Sequence, residues 1–412
     1  MHLYCEDSGI DSNLTHSSVW NNPYPLYGQM RGAPGLVRSS QRFFGECWVA
    51  TRYEDVETIL KNTKVFKNDI SNATGESSPF QGFFVPRVVK AFARTMVFVD
   101  GLDHKRLRGL TAKAFTPARV NELEQRIGDV TRELLAEAAK EGTFDLMSSF
   151  ALPLPLQIIS DMLGVNEEER KSFHNKVHLV TNIPTGWDFI RRIPTFYGLY
   201  RFFKKLLNRK RKQPGDDLTS DLIRAEEDGD RLTPEELMGT VFLLLFAGHE
   251  TTVNLIGNGT LALLENPEQR ERVQAEPQLV PEAVEEMLRY YSPAHITNTR
   301  HVAEPFAFGT TQLDVGDKVI PLVGAANRDA DVFTQAEQFD ATRNPNKHLA
   351  FGAGPHFCIG AHLSRVEGRI AFQEMLSMFS SMELAVEPDT LKWRGASGGL
   401  RGLETLPVRV TL

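Results

Sequence analysis

The sequence predicts a mainly α fold with small β-sheets, and three observations carry that expectation. Thr233-Pro-Glu-Glu236 places a capping residue, a proline and two carboxylates ahead of an apolar run that continues to about Leu264, the mark of a long helix. Apolar residues recur at helical spacing elsewhere, as at Val120, Leu123, Ile127, Val130 and Leu134. Clusters of β-branched and aromatic residues are short: Cys47-Trp-Val-Ala-Thr51, Phe306 to Phe308 and Lys318 to Leu322. No Ser/Gly/Pro linker divides the 412 residues, so a polar tail over 1–21 and one domain over 22–412 are expected.

Composition sets the class. A hydrophobic content of 41% beside 24% charged residues suits a soluble globular chain with a large core. The net charge of -7 lacks the basic excess of a nucleic-acid footprint. Cys5, Cys47 and Cys358 are odd in number and far apart, which suggests a reducing cytoplasm and no disulfide framework. Met1 to Trp20 is polar and acidic, without the pattern of a signal peptide or membrane anchor.

In chain order, Asn22 to Tyr27 suggests a short helix, Cys47 to Thr51 a strand, and Tyr53 to Lys61 an amphipathic helix. Lys67 to Val99 mixes Ser, Gly, Pro and phenylalanines without a period and reads as a loop with apolar anchors. Next comes Asp103-His-Lys-Arg-Leu-Arg-Gly-Leu110, where His104 and Arg108 are four apart and can grip one anionic group from the same helix face. Helices follow over Arg119 to Lys140 and about Leu156 to Leu163. More helix lies between Glu167 and Lys212, with breaks expected around Pro184 and Pro194 and a solvated basic end.

The helix opened by Thr233 spans some thirty residues, about 45 Å, and can cross a whole domain. Its uninterrupted apolar run, Val241 to Ala247, is too short for a bilayer, so a core helix is expected. Ala247-Gly-His-Glu-Thr-Thr252 lies inside it. A glycine, a carboxylate and two threonines in mid-helix contradict packing preference, and such contradictions mark functional sites. Gly248 would let a flat group or dioxygen near the backbone. Thr251 can bond the carbonyl four residues earlier and open a local bulge, with Glu250 as a proton relay and His249 facing away as a structural residue. Farther on, Glu286 and Arg289 are three apart on a helix over Pro281 to Tyr290, and Ser292 to Thr299 reads as extended.

Phe351-Gly-Ala-Gly-Pro-His-Phe-Cys-Ile-Gly360 puts one cysteine in a glycine-rich loop that runs straight into a helix. A helix N-terminus and nearby N–H groups are expected to lower the proton affinity of Cys358. With no second cysteine nearby, a metal held there would be carried mainly by something else, such as a porphyrin.

This loop resembles the haem-binding signature of the cytochrome P450 monooxygenases, and matching motifs spread from residue 22 to residue 408 in the family's order. The resemblance implies a helical domain around haem b (iron protoporphyrin IX) plus a small β-rich region. Cys358 would be the axial metal ligand, with Phe351, Gly352 and Gly360 framing it. His104, Arg108, Arg300 and His356 would hold the haem propionates, and Ala247 and Gly248 would border the site of dioxygen, the co-substrate. Thr251 and Glu250 would deliver protons. Glu286, Arg289 and Arg343 would fix the scaffold. A lipophilic substrate would meet Phe83, Phe84, Val97, Leu244 and Ala247 on one side, and Ala294, Ile296 and Leu400 on the other, with His295 and Asn298 as polar contacts. Electrons would come from NAD(P)H only through a separate reductase and a ferredoxin docked near Lys105, Arg106, Lys113 and Arg365. Similarity is nearest to bacterial members that tailor polyketides and macrolides, with fatty-acid hydroxylation second. A peroxide-driven peroxygenase or a non-catalytic haem sensor would have less use for the Glu250–Thr251 pair.

Overall fold

A computed structural model describes residues 14, 17–41, 45–76, 90, 94–112, 115–177, 186–227, 232–394 and 399–412. Its axis is the central helix, Pro234–Glu265. Both halves of the capping box form: the Thr233 hydroxyl accepts from the Glu236 N–H at 3.2 Å, and the Glu236 carboxylate accepts from the Thr233 N–H at 2.8 Å. Against this helix pack Pro153–Met162, Val280–Tyr290 and Ala361–Met378, which together bury the largest hydrophobic core. By length and composition the helix could cross a bilayer, but 67% of its most apolar window is buried inside the protein, in keeping with the expected core helix.

The strands are as short as their apolar clusters. Val37–Gln41, Gly45–Ala50, Lys318–Pro321, Arg300–Val302 and Phe66–Lys67 form one sheet in that order, antiparallel except where Gly45–Ala50 runs parallel to Lys318–Pro321. Arg300 is thereby fixed on a strand beside the helical core.

Two expectations need correction. First, helix Gly186–Lys212 runs through Pro194 instead of breaking there. Leu199, Phe203 and Leu206 bury one face of it, and that burial outweighs the loss of one backbone hydrogen bond. Second, its basic end is only partly solvated, because Arg209 forks onto Glu169 and the buried Lys210 pairs with Asp217 at 2.6 Å. The chain just ahead of residue 22 is packed as well. Trp20 is buried, and Arg401 donates to the carbonyls of Trp20 (2.9 Å) and Asn21 (3.0 Å) with its guanidinium stacked on Trp393.

The Glu286–Arg289 pair is fully buried. Glu286 accepts from Arg289 (2.7 Å twice), from the Asp340 N–H (2.9 Å), from Arg343 (3.1 Å) and from Asn346 (3.0 Å). Arg289 also donates to the carbonyls of Asn327, Ala336 and Gln338. Such saturation is what a buried ion pair requires, and it ties the segment before the cysteine loop to the core.

Candidate active site

The cysteine loop is shaped by two left-handed glycines, Gly352 at φ 69° and Gly354 at φ 68°. A side chain at Gly354 would also strike the Leu60 carbonyl at 2.7 Å, so the loop lies tightly on helix Tyr53–Lys61. The Cys358 N–H donates to the Phe351 carbonyl at 2.9 Å, and helix Ala361–Met378 begins three residues on. The thiol is deep in the protein, yet its surface is exposed because it faces an internal cavity of about 300 Å³. Burial pushes its proton affinity up, against the pull of the Gly360 N–H and the guanidinium groups of Arg108 and Arg365. This overturns the expected lowering: apolar surroundings win over the helix terminus until a cation binds the sulfur directly.

One edge of the cavity gathers nitrogen donors. His104 and Arg108 project from helix Gly101–Ala112, Arg300 from its strand and His356 from the cysteine loop, and all four line the cavity. The His104 and His356 rings lie 4.0 Å apart. Burial lowers the basicity of both, His356 to about 3, so both are neutral at pH 7. His104 Nε2 is buried and has no hydrogen-bond partner among the described residues. Arg300 donates to Asn68 Oδ1 and to the Asn298 carbonyl at 3.0 Å. Asn68 Nδ2 in turn bonds His356 Nε2 (2.8 Å) and donates to Asp100 (3.0 Å). Asp100, held ionised by backbone and side-chain donors against its burial, anchors this edge. Sequence reasoning missed Asn68 and Asp100, since neither carries a motif and their partners are remote in sequence.

The central helix supplies the opposite wall. Leu244, Ala247, Gly248 and Thr251 line the cavity, whereas Glu250 does not. The Thr251 hydroxyl donates to the Ala247 carbonyl at 3.0 Å while the helix stays α-helical, so the expected bulge is absent. Gly248 has a second duty that was not foreseen: a Cβ there would come within 2.8 Å of Ile159, so it lets two helices touch. His249 is fully buried and does face away from the cavity. Thr252, Ser364 and Glu367 add a polar corner near the thiol. Burial raises the Glu367 carboxyl to about 8, partly offset by the Thr252 hydroxyl, so it is protonated at pH 7.

Val97, Ala294 and Ile296 line the cavity, as does Asn298, whose amide donates to the Val97 carbonyl at 2.8 Å. His295 does not. Extended backbone alternates sides, so with its two neighbours inward its ring points outward, bonding the Tyr27 hydroxyl at 3.0 Å. That alternation was readable in the sequence. Leu400 pairs by backbone with Ala294 and lies outside the lining. Phe83, Phe84 and Lys113 lie outside the described residues. Of the docking candidates, Lys105 is exposed, but Arg106 forks onto Glu236 (2.7 and 3.2 Å) and Arg365 forks onto Glu285 (2.7 and 2.8 Å) while stacking on Phe351.

The residues present fit a flat dicarboxylate macrocycle with a central metal: a reachable thiol, apolar walls, and an edge with two guanidinium groups and an orphaned imidazole nitrogen. A family model described as Cytochrome P450 matches residues 195–397. The polyketide biosynthesis cytochrome P450 PksS of Bacillus subtilis (strain 168) is 38% identical over 397 residues, 95% of this chain and 96% of the relative. Cytochrome P450 107B1 of Saccharopolyspora erythraea is 40% identical over 390 residues, 93% and 94% of the two chains. The solved structure of the Bacillus subtilis 168 bacillaene polyketide synthase cytochrome P450 PksS superposes with a TM-score of 0.89 at 35% identity, covering 97% of this chain and all of the other. Near-complete alignment at this identity, together with a thiol opposite a threonine-bearing helix, makes the chain a member of the cytochrome P450 family, the haem- and oxygen-dependent monooxygenases.

Proposed function

We propose that this monooxygenase hydroxylates or epoxidises a lipophilic, polyketide-like molecule in a reducing cytoplasm, residues 22–412 acting as one catalytic unit. The observation that carries the reading is the Cys358 thiol and the edge of two histidines and two arginines opening on one apolar cavity. Cys358 would ligate the haem iron through its sulfur, and His104, Arg108, Arg300 and His356 would bind the porphyrin carboxylates, the histidines as neutral donors. When bound, the haem supplies the activation of dioxygen. The chain's own part is positioning and proton supply. Val97, Leu244, Ala294 and Ile296 offer apolar surface that excludes water and selects a lipophilic ligand. Thr251 presents its hydroxyl to the cavity, and Glu250, on the outer side of the helix, passes protons to it from solvent.

Electrons would arrive from NAD(P)H through a reductase and a ferredoxin. Lys105, exposed on the same helix as His104 and Arg108, would belong to the docking face with Lys113; among the described candidates, Arg106 and Arg365 are also ion-paired within the fold. The polyketide class is supported by the relatives of that description and by the apolar lining. A ligand library screened for absorption shifts of the haem-loaded protein tests it: polyketide lactones should shift the band at lower concentration than fatty acids. Stronger responses to fatty acids would reject the substrate class. In Cys358→Ser, loss of the thiolate-type spectrum is expected, and its retention would reject the ligand assignment.

A further inference from the structure

His295 was expected to touch the ligand, and instead its ring leaves the back of the same wall. Residues 292–299 belong to no helix or strand and make one isolated bridge, Ala294 to Leu400. No ladder of backbone bonds therefore fixes Ala294 and Ile296, which line the cavity. Point contacts do so. The His295 and Ile296 N–H groups share the Gly399 carbonyl at 2.8 and 3.1 Å, and the Gly324 N–H donates to the His295 carbonyl at 3.0 Å. The His295 ring is the side-chain anchor. It packs so closely on Gly324 that a Cβ there would come within 2.6 Å of it, and the rings of Trp20, Tyr24 and Tyr27 lie around it at 5.8, 6.0 and 5.8 Å. An apolar ring would fill this space at less cost. The imidazole is fully buried, its Nε2 has no hydrogen-bond partner among the described residues, and burial beside Arg401 and Arg328 keeps it uncharged at pH 7. Its Nδ1 lies 3.0 Å from the Tyr27 hydroxyl, whose own proton is held in place by burial. A polar ring that leaves one nitrogen unsatisfied while the other makes one directed bond gives up stability for direction.

We propose that Tyr27 and His295 are a positioning pair that determines ligand specificity: the hydroxyl fixes the imidazole, and the imidazole sets how far Ala294 and Ile296 reach into the cavity. The inference rests on the reading of this cavity as the lipophilic substrate site and deepens it. Extended residues alternate sides, so a shift of the outward ring carries its two inward neighbours with it. Tyr27 stands on helix Tyr24–Arg31, which is itself pinned at both ends. The Tyr24 hydroxyl donates to the Tyr290 carbonyl at 3.1 Å, and Arg31 donates to the Ala325 carbonyl at 2.8 Å. The helix is thus a fixed post behind the wall, and the Tyr27–His295 bond is the side-chain link from that post to the segment that meets the ligand. Tyr27 selects without lining the cavity.

The test uses the haem-loaded enzyme and two iron-binding azoles of different reach, 1-phenylimidazole and 1-dodecylimidazole, titrated by absorption. Tyr27→Phe removes the hydroxyl alone, and His295→Phe keeps a ring while removing both nitrogens. The ratio of the two dissociation constants should change by about threefold or more in each variant, which is within the reach of one lost hydrogen bond. The double variant should show no further change, because both substitutions break the same contact. In Tyr27→Phe without azole, amide hydrogen exchange over a peptide spanning 293–298 should quicken, as read by mass spectrometry. An unchanged ratio in Tyr27→Phe, changes that add in the double variant, or equal exchange rates overturn the proposal. A lower melting temperature with the ratio unchanged also overturns it, since that is all a merely structural pair would give. If neither azole perturbs the wild-type spectrum, the substrate-site reading fails, and the exchange rates alone decide whether the pair positions the wall.

Discussion

Thr251 and Glu250 are neighbours in sequence but face different surroundings, one the cavity and the other the outer packing of the helix. Removing the hydroxyl in Thr251→Ala should leave electron consumption intact while product per electron falls about tenfold or more, with the oxygen recovered as peroxide or water. Matched measurements of cofactor oxidation and product check this. Glu367 makes a different prediction. Its folded proton affinity, about 8, is raised above the unfolded value, so the stability it contributes is full below pH 4.5 and is lost as pH rises through 8. Glu367→Gln should therefore melt higher than wild type at pH 8.5 and close to it at pH 4.5, in paired thermal scans. Equal differences at both pH values would refute the protonated assignment.

At the scale of elements, the central helix is held at both its cap and its midpoint. Gly248→Ala drives a methyl group into Ile159 and should cost about 1–3 kcal/mol. In an Ile159→Ala background the penalty should nearly vanish, which a double-mutant cycle by urea unfolding reads directly. Glu286→Gln leaves Arg289 buried without its countercharge, and a loss of about 3–5 kcal/mol is expected, measured as a collapse in recovered folded enzyme. Much of this level was legible in the sequence. The capping box at Thr233, the cysteine loop and the Glu286–Arg289 spacing are local patterns, and local patterns survive without knowledge of the fold. Pro194 misled because propensity is a weak term beside the burial of Leu199, Phe203 and Leu206. The ion pairs of Arg106 and Arg365 were not legible, because their acidic partners, Glu236 and Glu285, are 130 and 80 residues away. Nothing near those arginines announces the pairing.

For the whole molecule, the nitrogen-rich edge joins segments around residues 68, 100, 104, 300 and 356, so this corner of the cavity exists only when the sheet and the helical core are both in place. Its pH response follows in sign. His356 has a folded proton affinity of about 3, depressed below the unfolded value near 6.5. The unfolded chain then binds more protons, so stability is full above pH 6.5 and declines as pH falls toward 3, at up to about 1.4 kcal/mol per pH unit from this group. His356→Gln should flatten the acid limb of a melting curve over that window. A slope as steep as wild type would refute it.

The Arg401 contact has one more consequence. Its backbone N–H donates to the Pro293 carbonyl beside Ala294, while its guanidinium grips the carbonyls of residues 20 and 21. The amino-terminal stretch is thus latched to the cavity wall formed by Pro293 and Ala294. Trimming the chain ahead of Tyr24 should therefore loosen that wall at a distance, without altering any side chain that lines the cavity.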